Sequence, residues 1–486
     1  MNFAEILARS AAAHPDRVAV NADGHSVSYA ELHDAAARLA AMLIERGVAP
    51  GDVVAVMLPN RVELPACYFG ALQAGAVVTT LNVMLRPREV ERLLRDSGAR
   101  LLLADGSVDS LPNLDVPRLS PAHSRRVRPI DAPIVRTGGD PAVLVYTSGT
   151  TGSPKAAEMT HENLDAASSA VLEAIGEWAN PPVALCAAPF FQGFGQGCGM
   201  NAMLRAGASI FTFSRFVASR ALAALEEHEV PMLQAVPTMC HDILRLPELK
   251  RRDTSRLQLC LTGGAAMPAD LLRQFERELD CEVLEGYGLT EAMRAAMNRP
   301  GRRKLGSIGL PLPGVEIRLI DGDGHETLRD AGEMWIRGPN VMRGYWRNPE
   351  ATAGVMRDGW LRTRDIAYLD GDGYLFILGR VDDVITRGGY KVHPADVERA
   401  LREHPNVADA AVVPIPDARL GSEVGAAVVP VNGRELDLDE LSAFVRARIA
   451  PFKYPRLIWT VPELPRGFTG KLLRREVHTP GMPTSR

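Results

Sequence analysis

The chain has 486 residues, of which 46% are hydrophobic and 23% charged, and its formal net charge is −4. This length exceeds what one hydrophobic core supports, so we expect a globular protein of two or more domains. The weakly acidic balance gives no reason to expect a nucleic acid or an anionic membrane as partner, and no apolar run is long enough to span a bilayer.

The amino terminus and the cysteines favour a cytoplasmic protein. Glu5 comes early, and no basic stretch precedes an apolar core, so a secretory signal is not expected. The six cysteines are scattered without a Cys-x-x-Cys pair. We therefore expect buried free thiols in a reducing compartment.

The chain before residue 140 alternates strand and helix patterns. Asp23 and Gly24 stand between two apolar runs and predict a hairpin turn. Ser28 and Glu31 form a capping-box pattern that begins a helix, and Pro87 is suited to the first turn of another. Strands separated by helices predict parallel sheets that are covered on both faces.

A stretch rich in glycine and hydroxyl groups follows an apolar run that is typical of a buried strand. Residues 146–155 read Tyr-Thr-Ser-Gly-Thr-Thr-Gly-Ser-Pro-Lys. Glycines let backbone N–H groups approach an anion, and hydroxyls and a lysine suit phosphate. The preceding strand argues against a flexible linker, and the spacing is not that of a Walker A loop. The predicted phosphate-binding residues are Thr147, Ser148, Gly149, Thr150, Thr151 and Lys155.

A second stretch, residues 285–291, reads Glu-Gly-Tyr-Gly-Leu-Thr-Glu. An aromatic ring between glycines can offer its face to a base, and a carboxylate suits a Mg²⁺ ion that bridges phosphates. Taken alone, the same residues also fit a core tyrosine and an acid at a helix N-terminus.

Three more stretches carry charged groups near the carboxyl end. Asp365 ends the run Gly-Trp-Leu-Arg-Thr-Arg-Asp, and its carboxylate can accept two hydroxyl hydrogen bonds at once. Arg380 and Asp382 lie in Gly-Arg-Val-Asp-Asp-Val-Ile, where an ordinary surface ion pair is the alternative. Lys471 ends Leu-Pro-Arg-Gly-Phe-Thr-Gly-Lys, and without this context it would be a solvated charge.

In this order the stretches resemble the core motifs of the adenylate-forming superfamily, in its acyl-CoA synthetase branch. The superfamily comprises acyl- and aryl-CoA ligases, the adenylation domains of peptide synthetases, and beetle luciferases. The resemblance covers nearly the whole chain and implies an α/β fold. Residues 1–379 would form a large adenylation domain of mixed and parallel sheets flanked by helices, with a β-rich subdomain. Residues 380–486 would form a small, mobile α+β domain.

The resemblance also implies roles for the nucleotide-binding residues. Tyr287 would stack on adenine, Thr290 would bond the phosphates, and Glu291 would hold Mg²⁺. Asp365 would bind the ribose hydroxyls, and Arg380 would reach ribose or phosphate. Further nucleotide contacts would come from Gly264, Ala265, Glu285 and Gly286.

For the carboxyl-terminal part, the resemblance implies a hinge, a thiol tunnel and a catalytic lysine. Asp382 would be the hinge residue, and Gly389 would belong to the loop that lines the tunnel. Lys471 would neutralise the attacking carboxylate and the α-phosphate, a form of electrostatic catalysis. The sequence departs from the family pattern at Arg364, where a glycine is usual, and at Gln192, where many relatives have a histidine that can titrate.

The predicted acyl pocket has small or apolar walls, which favour an uncharged acyl or aryl tail over an amino acid. Its residues are Phe190, Gln192, Gly193, Ala235, Val236, Pro237, Gly263, Ala266 and Met293. Arg294 could pair with a second carboxylate, although a surface or structural position is the commoner one for such a residue.

The resemblance, together with the chemistry of these residues, implies a ligase that activates a carboxylic acid with ATP and Mg²⁺ and then transfers the acyl group to coenzyme A. Thr290, Glu291 and Lys471 are the predicted catalytic residues. One alternative loads an acyl carrier protein instead, and another is a non-catalytic binder of nucleotide or acyl adenylate. A monomer or a homodimer is expected.

Overall fold

The computed structural model describes residues 2–106, 115–147, 154–176, 178, 180–328, 330–387, 390–417, 419–431, 434–467 and 472–480. The chain divides into two compact units. The first contains Met1–Ile317 and Ile336–Leu361, and the second contains Arg318–Trp335 and Arg362–Arg486. This division does not follow the expected domain limit at residues 379 and 380, which stays a prediction about the functional domains.

The strands are β1 (Val18–Ala22), β2 (His25–Ser28), β3 (Val53–Met57), β4 (Val77–Thr80), β5 (Ala99–Ala104), β6 (Arg118–Leu119), β7 (Pro141–Thr147), β8 (Lys155–Thr160), β9 (Val183–Cys186), β10 (Ser209–Thr212), β11 (Met232–Ala235), β12 (Leu259–Thr262), β13 (Glu282–Tyr287), β14 (Ala296–Met297), β15 (Leu310–Pro311), β16 (Glu316–Ile320), β17 (Gly332–Arg337), β18 (Gly344–Tyr345), β19 (Met356–Arg357), β20 (Trp360–Leu369), β21 (Leu375–Arg380), β22 (Ile385–Arg387), β23 (Tyr390–Val392), β24 (Val407–Asp417), β25 (Gly421–Pro430) and β26 (Leu457–Thr460).

The α-helices are α1 (Glu5–Ala13), α2 (Tyr29–Glu45), α3 (Glu63–Gln73), α4 (Pro87–Ser97), α5 (His161–Ile175), α6 (Ala202–Arg205), α7 (Ala218–Glu227), α8 (Pro237–Leu244), α9 (Ala269–Leu279), α10 (Pro349–Val355), α11 (Pro394–Arg402) and α12 (Leu438–Arg446). A π-helical segment, Gly195–Asn201, precedes α6. None of the helices in the described ranges is both long and apolar enough to cross a bilayer.

Two mixed sheets form the first unit. One has the strand order β15-β14-β13-β12-β11-β9-β10-β1-β2, and the other has the order β18-β8-β7-β4-β3-β5-β6. The central strands of both sheets run parallel, whereas β2, β8, β14, β15 and β18 pair antiparallel to their neighbours. Every residue of β3, β4, β11 and β12 is buried, as expected for parallel strands covered by helices on both faces. The predicted α/β fold with mixed and parallel sheets is confirmed.

Short-range signals predicted the local structure correctly at several positions. Asp23 and Gly24 have φ angles of 51° and 87°, and two positive angles are what a type I′ hairpin turn between β1 and β2 requires. Ser28 accepts a hydrogen bond from the Glu31 amide while Glu31 accepts one from the Ser28 amide, so the capping box is confirmed. Helix α4 begins at Pro87. All six cysteines are free and buried.

The second unit is an α+β structure, as predicted for the carboxyl-terminal part. Strands β20 and β21 form an antiparallel pair. A separate sheet has the order β23-β22-β25-β24, with β26 beside β25. Its core consists of aliphatic side chains from this sheet and from helices α11 and α12: Ile385, Val392, Val397, Leu401, Val412, Val424, Val428, Leu441 and Val445.

Candidate active site

Four neighbouring parallel strands of the first sheet place the predicted pocket loops side by side. Gln234 of β11 pairs with Cys186 of β9, Ala235 pairs with Thr262 of β12, and Thr262 pairs with Glu285 of β13. Because parallel strands end at the same edge, the segments after them leave the sheet together, and this edge is where open α/β sheets bind ligands. The segments carry the predicted acyl-pocket residues and the stretch from Glu285 to Glu291.

The turn that follows β13 is fixed by close packing and by a buried amide. A Cβ atom on Gly288 would lie 1.7 Å from the carbonyl oxygen of Met293, so only glycine fits at this position. Asn340, which is 1% exposed, donates from Nδ2 to the carbonyl oxygens of Ala292 at 2.9 Å and Arg294 at 2.7 Å. The turn that carries Thr290 and Glu291 is therefore held from both sides.

Tyr345 joins two of the predicted nucleotide-binding residues. Its hydroxyl donates to Glu291 Oε1 at 2.6 Å, and Lys155 Nζ lies 5.3 Å from the centre of its ring. Tyr345 reaches this position because β18 pairs with β8, which begins at Lys155, and Thr147 stands opposite Lys155 in β7. The structure thus brings the predicted phosphate-binding lysine and the predicted Mg²⁺ ligand to one aromatic side chain. The sequence analysis missed Tyr345, because only strand pairing connects residue 345 with residues 155 and 291.

Glu285, one of the predicted nucleotide residues, has a half-buried carboxyl group. Burial raises its pKa to about 7, although a hydrogen bond from the Met267 amide at 3.2 Å and the charge of Arg303 act in the opposite direction. At neutral pH a large fraction of this side chain is therefore protonated, and it can then donate a hydrogen bond as well as accept one.

The predicted acyl-pocket residues differ in exposure. Phe190 is fully buried, and its amide donates to Asn60 at 2.8 Å. Gln192 and Gly193 are half-buried, Val236 and Met293 are buried, and Ala266 is exposed. That these residues together line an acyl pocket stays a prediction. Arg294 is only 3% exposed, so a surface position for this residue is wrong.

In the second unit, two ion pairs connect the predicted ribose and hinge residues. Asp365 stands opposite Arg380 across β20 and β21, and their side chains are 3.7 Å apart. Arg364 Nε donates to Asp382 Oδ2 at 2.9 Å. Arg364 has a φ of 61°, in the left-handed region that favours glycine, the residue that the resemblance leads us to expect at this position.

Several predicted site residues lie outside the described residues: Ser148, Gly149, Thr150, Thr151, Gly389 and Lys471. Their roles stay predictions. In the described part of the chain, no group of three or more His, Cys, Asp or Glu side chains could hold a metal ion. A single carboxylate such as Glu291 still suits Mg²⁺, because this ion usually binds through one or two carboxylates together with the phosphates of a substrate.

Two family models match the chain. The model described as AMP-binding enzyme matches residues 7–346, and the model described as AMP-binding enzyme C-terminal domain matches residues 396–471. The chain belongs to the AMP-binding enzyme family.

Known relatives of this AMP-binding enzyme match nearly its whole length. It is 38% identical to a feruloyl-CoA synthase of Amycolatopsis sp, over 96% of this chain and 97% of the relative. It is 33% identical to a long-chain-fatty-acid–CoA ligase of Bacillus subtilis, over 97% of this chain and 93% of the relative. The crystal structure of ATP-bound MatB from Rhodopseudomonas palustris superposes with a TM-score of 0.90 at 31% identity and covers 97% of each chain. The predicted superfamily, its acyl-CoA ligase branch and the class of enzyme, an ATP-dependent acid–CoA ligase, are confirmed.

Replacing Tyr345 with phenylalanine should weaken the use of ATP without unfolding the protein. The substitution removes the hydrogen bond to Glu291 but keeps the ring beside Lys155. A hydrogen bond to a charged group contributes about 1.5–3 kcal/mol, so kcat/KM for ATP should fall about 10-fold or more. Steady-state kinetics at saturating acid would measure this. Tyr368→Phe, which removes a hydroxyl from a ring stacked on Phe376, is the control, and equal losses in both variants would contradict the role of Tyr345.

The Glu285→Gln variant should become more stable relative to the parent enzyme as the pH rises. The folded-state pKa of Glu285 is raised to about 7 from 4.5, so its contribution to stability is fully present below pH 4.5 and is lost as the pH rises through 7. Glutamine mimics the neutral acid and does not titrate. The difference in unfolding free energy should therefore grow by at most about 3 kcal/mol between these pH values, as measured by urea unfolding. The exposed Glu45→Gln serves as control, and a flat difference for Glu285→Gln would refute the expectation.

Glycine and alanine at position 364 should separate backbone strain from the ion pair. Both variants lose the pair with Asp382, but only Arg364→Gly relieves the left-handed backbone. Arg364→Gly should therefore be about 1 kcal/mol more stable than Arg364→Ala in urea unfolding. Equal stability of the two variants would show that the backbone at this position carries no strain.

Proposed function

We propose that this enzyme converts a carboxylic acid to its CoA thioester in two steps. In the first step, a carboxylate oxygen attacks the α-phosphorus of ATP, the bond to pyrophosphate breaks, and an acyl adenylate forms. In the second step, the sulfur of CoA attacks the acyl carbon and AMP leaves. Dividing the condensation in this way gives the acyl group a good leaving group. The observation that carries the proposal is the convergence of Lys155, Tyr345 and Glu291 beside the strand ends of an AMP-binding enzyme.

The residues of the first unit would bind and orient the triphosphate. Lys155 supplies a positive charge for phosphate, and Thr290 adds a hydroxyl donor on the turn held by Asn340. Glu291 would hold Mg²⁺, which when bound neutralises charge on the phosphates. Tyr345 keeps the Glu291 carboxylate in place through its hydroxyl while its ring faces Lys155. Tyr287, at the end of β13, would stack on adenine.

The family implies roles in nucleotide binding and in the sequence of steps for residues of the second unit. Asp365 would bind the ribose hydroxyls, and the nearby Arg380 would reach ribose or phosphate. Lys471 would neutralise the two anions that repel each other in the first step. The family implies that the small domain then turns about Asp382, withdraws Lys471 and presents the loop at Gly389 to the thiol. In this chain, Arg364 binds the hinge carboxylate, so the turn about Asp382 involves breaking or moving that ion pair.

The acid would bind between the segments that follow β9, β11 and β12, which carry the predicted acyl-pocket residues. The feruloyl-CoA synthase and the long-chain-fatty-acid–CoA ligase are named for acids of different kinds. Both names support a carboxylic acid as the substrate of this enzyme and coenzyme A as the acceptor, and they leave the acid open.

A panel of carboxylic acids scored with and without CoA tests the proposal. We expect at least one acid to support pyrophosphate exchange into ATP, and AMP release with that acid should rise when CoA is added. Lys471→Ala should slow exchange about 10²–10³-fold, as expected for the loss of one stabilising charge. The same variant should still form thioester from a synthetic acyl adenylate and CoA.

Lys250→Ala, at an exposed lysine, is the matched control and should behave as the parent enzyme. Exchange without CoA-dependent AMP release would point to a carrier-protein thiol as acceptor. Absence of exchange with every acid would overturn the proposal in favour of a non-catalytic binder.

A further inference from the structure

Arg294 lies among the residues predicted to line the acyl pocket and is only 3% exposed. Its guanidinium carbon is 5.2 Å from the centre of the Phe194 ring. Phe194 follows Gln192 and Gly193 in the segment after β9, and its carbonyl oxygen accepts a hydrogen bond from Gln234 at 3.0 Å. A cation is thus buried beside a pocket whose walls the sequence predicts to consist of small or apolar residues.

Two glycines leave the space that this guanidinium occupies. A Cβ atom on Gly263 would lie 2.7 Å from Arg294 Nη1, and one on Gly286 would lie 2.5 Å from its Cζ. Gly263 directly follows β12 and Gly286 lies within β13, so two adjacent strands contribute to the same recess. Any larger residue at either position would push the guanidinium out, because Cβ atoms do not approach other atoms so closely.

The hydrogen bonding of Arg294 is incomplete. A guanidinium has five N–H donors. Nη2 approaches the carbonyl oxygen of Thr262 at 3.5 Å and the sulfur of Met297 at 3.4 Å, which are a long contact and a weak acceptor. Nε is buried without a hydrogen-bond partner. Within the described ranges, Arg294 forms no ion pair with a carboxylate.

The titratable groups around Arg294 do not supply the missing negative charge. Burial raises the pKa of the Cys198 thiol, and the charge of Arg294 only partly opposes this, so the thiol stays neutral at neutral pH. Glu285 accepts from the Met267 amide and interacts with Arg303. A buried cation without an anion is costly, and native structures normally compensate such a charge.

We propose that Arg294 binds a second carboxylate of the acid substrate, so that this enzyme prefers dicarboxylic acids. The inference rests on the proposed function, because the first carboxylate is the one that is activated. A planar guanidinium with free N–H groups matches a carboxylate in a two-point hydrogen bond, which a lysine could not reproduce. The tail of the substrate would then carry a negative charge, in contrast to the uncharged tail that the sequence led us to expect.

Matched pairs of acids test the proposal on the parent enzyme. Each pair consists of a diacid and its monomethyl ester, so the two members differ mainly in the distal charge. The series runs through glutaric, adipic and suberic acids and adds terephthalic acid. For at least one pair, kcat/KM in acid-dependent pyrophosphate exchange should be about 10²-fold higher for the diacid. Preference for the ester in every pair would overturn the inference while leaving the proposed function intact.

Variants at position 294 separate recognition from a structural role. Arg294→Met should abolish the preference for the diacid and should retain or raise kcat/KM for the ester. Arg294→Lys keeps the charge without the planar geometry and should retain part of the preference. The surface variant Arg273→Gln should behave as the parent enzyme, since Arg273 is exposed and pairs with the exposed Asp270 on α9.

An equal loss for both members of the pair in Arg294→Met and Arg294→Lys would show a merely structural arginine and refute the inference. If Arg294→Met does not fold, the parent enzyme and Arg294→Lys still decide. If none of the acids supported pyrophosphate exchange, the proposed function itself would be refuted. The two failures are therefore distinguishable.

Discussion

The parallel register of β9, β11, β12 and β13 is the constraint on which the candidate site depends. Backbone hydrogen bonds fix which residues stand opposite each other, so each strand ends at the same edge of the sheet. The segments that follow can then carry polar groups without burying unpaired backbone. The segments leave the sheet close together, and the turn after β13 needs glycine because Gly288 packs directly against the Met293 carbonyl oxygen. The strand register and the glycine at position 288 thus both serve to position the segments after the strands.

Electrostatic organisation is the second feature of the site. An aromatic ring has a negative face and a tyrosine hydroxyl has a positive hydrogen, so one side chain can interact with a cation and an anion at once. Tyr345 does this between Lys155 and Glu291. The two charges are therefore kept apart and oriented before any nucleotide binds. Groups that are already oriented need little rearrangement when the substrate develops charge, and this is the usual source of electrostatic catalysis.

The sequence predicted those parts of the fold that are encoded within a few residues. The Asp23-Gly24 hairpin, the capping box at Ser28 and the helix start at Pro87 are correct because each depends on local backbone preferences. The order of motifs predicted the family for a similar reason, since each motif is continuous. The strand order of the sheets and the division into compact units did not follow from the sequence, because both depend on pairing between distant segments.

The residues that sequence reasoning missed act over long distances in the chain. Asn340 holds the carbonyl groups of Ala292 and Arg294, and Tyr345 reaches Glu291, yet no spacing rule connects these positions. For Arg294 the sequence left both a surface and a structural position open, because arginine is usually exposed, and the structure shows it buried. Only the structure shows that Gly263 and Gly286 leave room for its side chain.

The departure at Gln192 affects how the predicted acyl pocket can respond to pH. Many relatives carry a histidine where this chain has Gln192, and a histidine would let the local charge change near neutral pH. Glutamine does not titrate. Gln192 therefore cannot change the local charge near neutral pH in the way that a histidine would. Glu285, whose pKa is raised to about 7, is one of the residues predicted to contact the nucleotide. A change of activity near neutral pH should accordingly appear in the apparent affinity for ATP more than in the discrimination between acids.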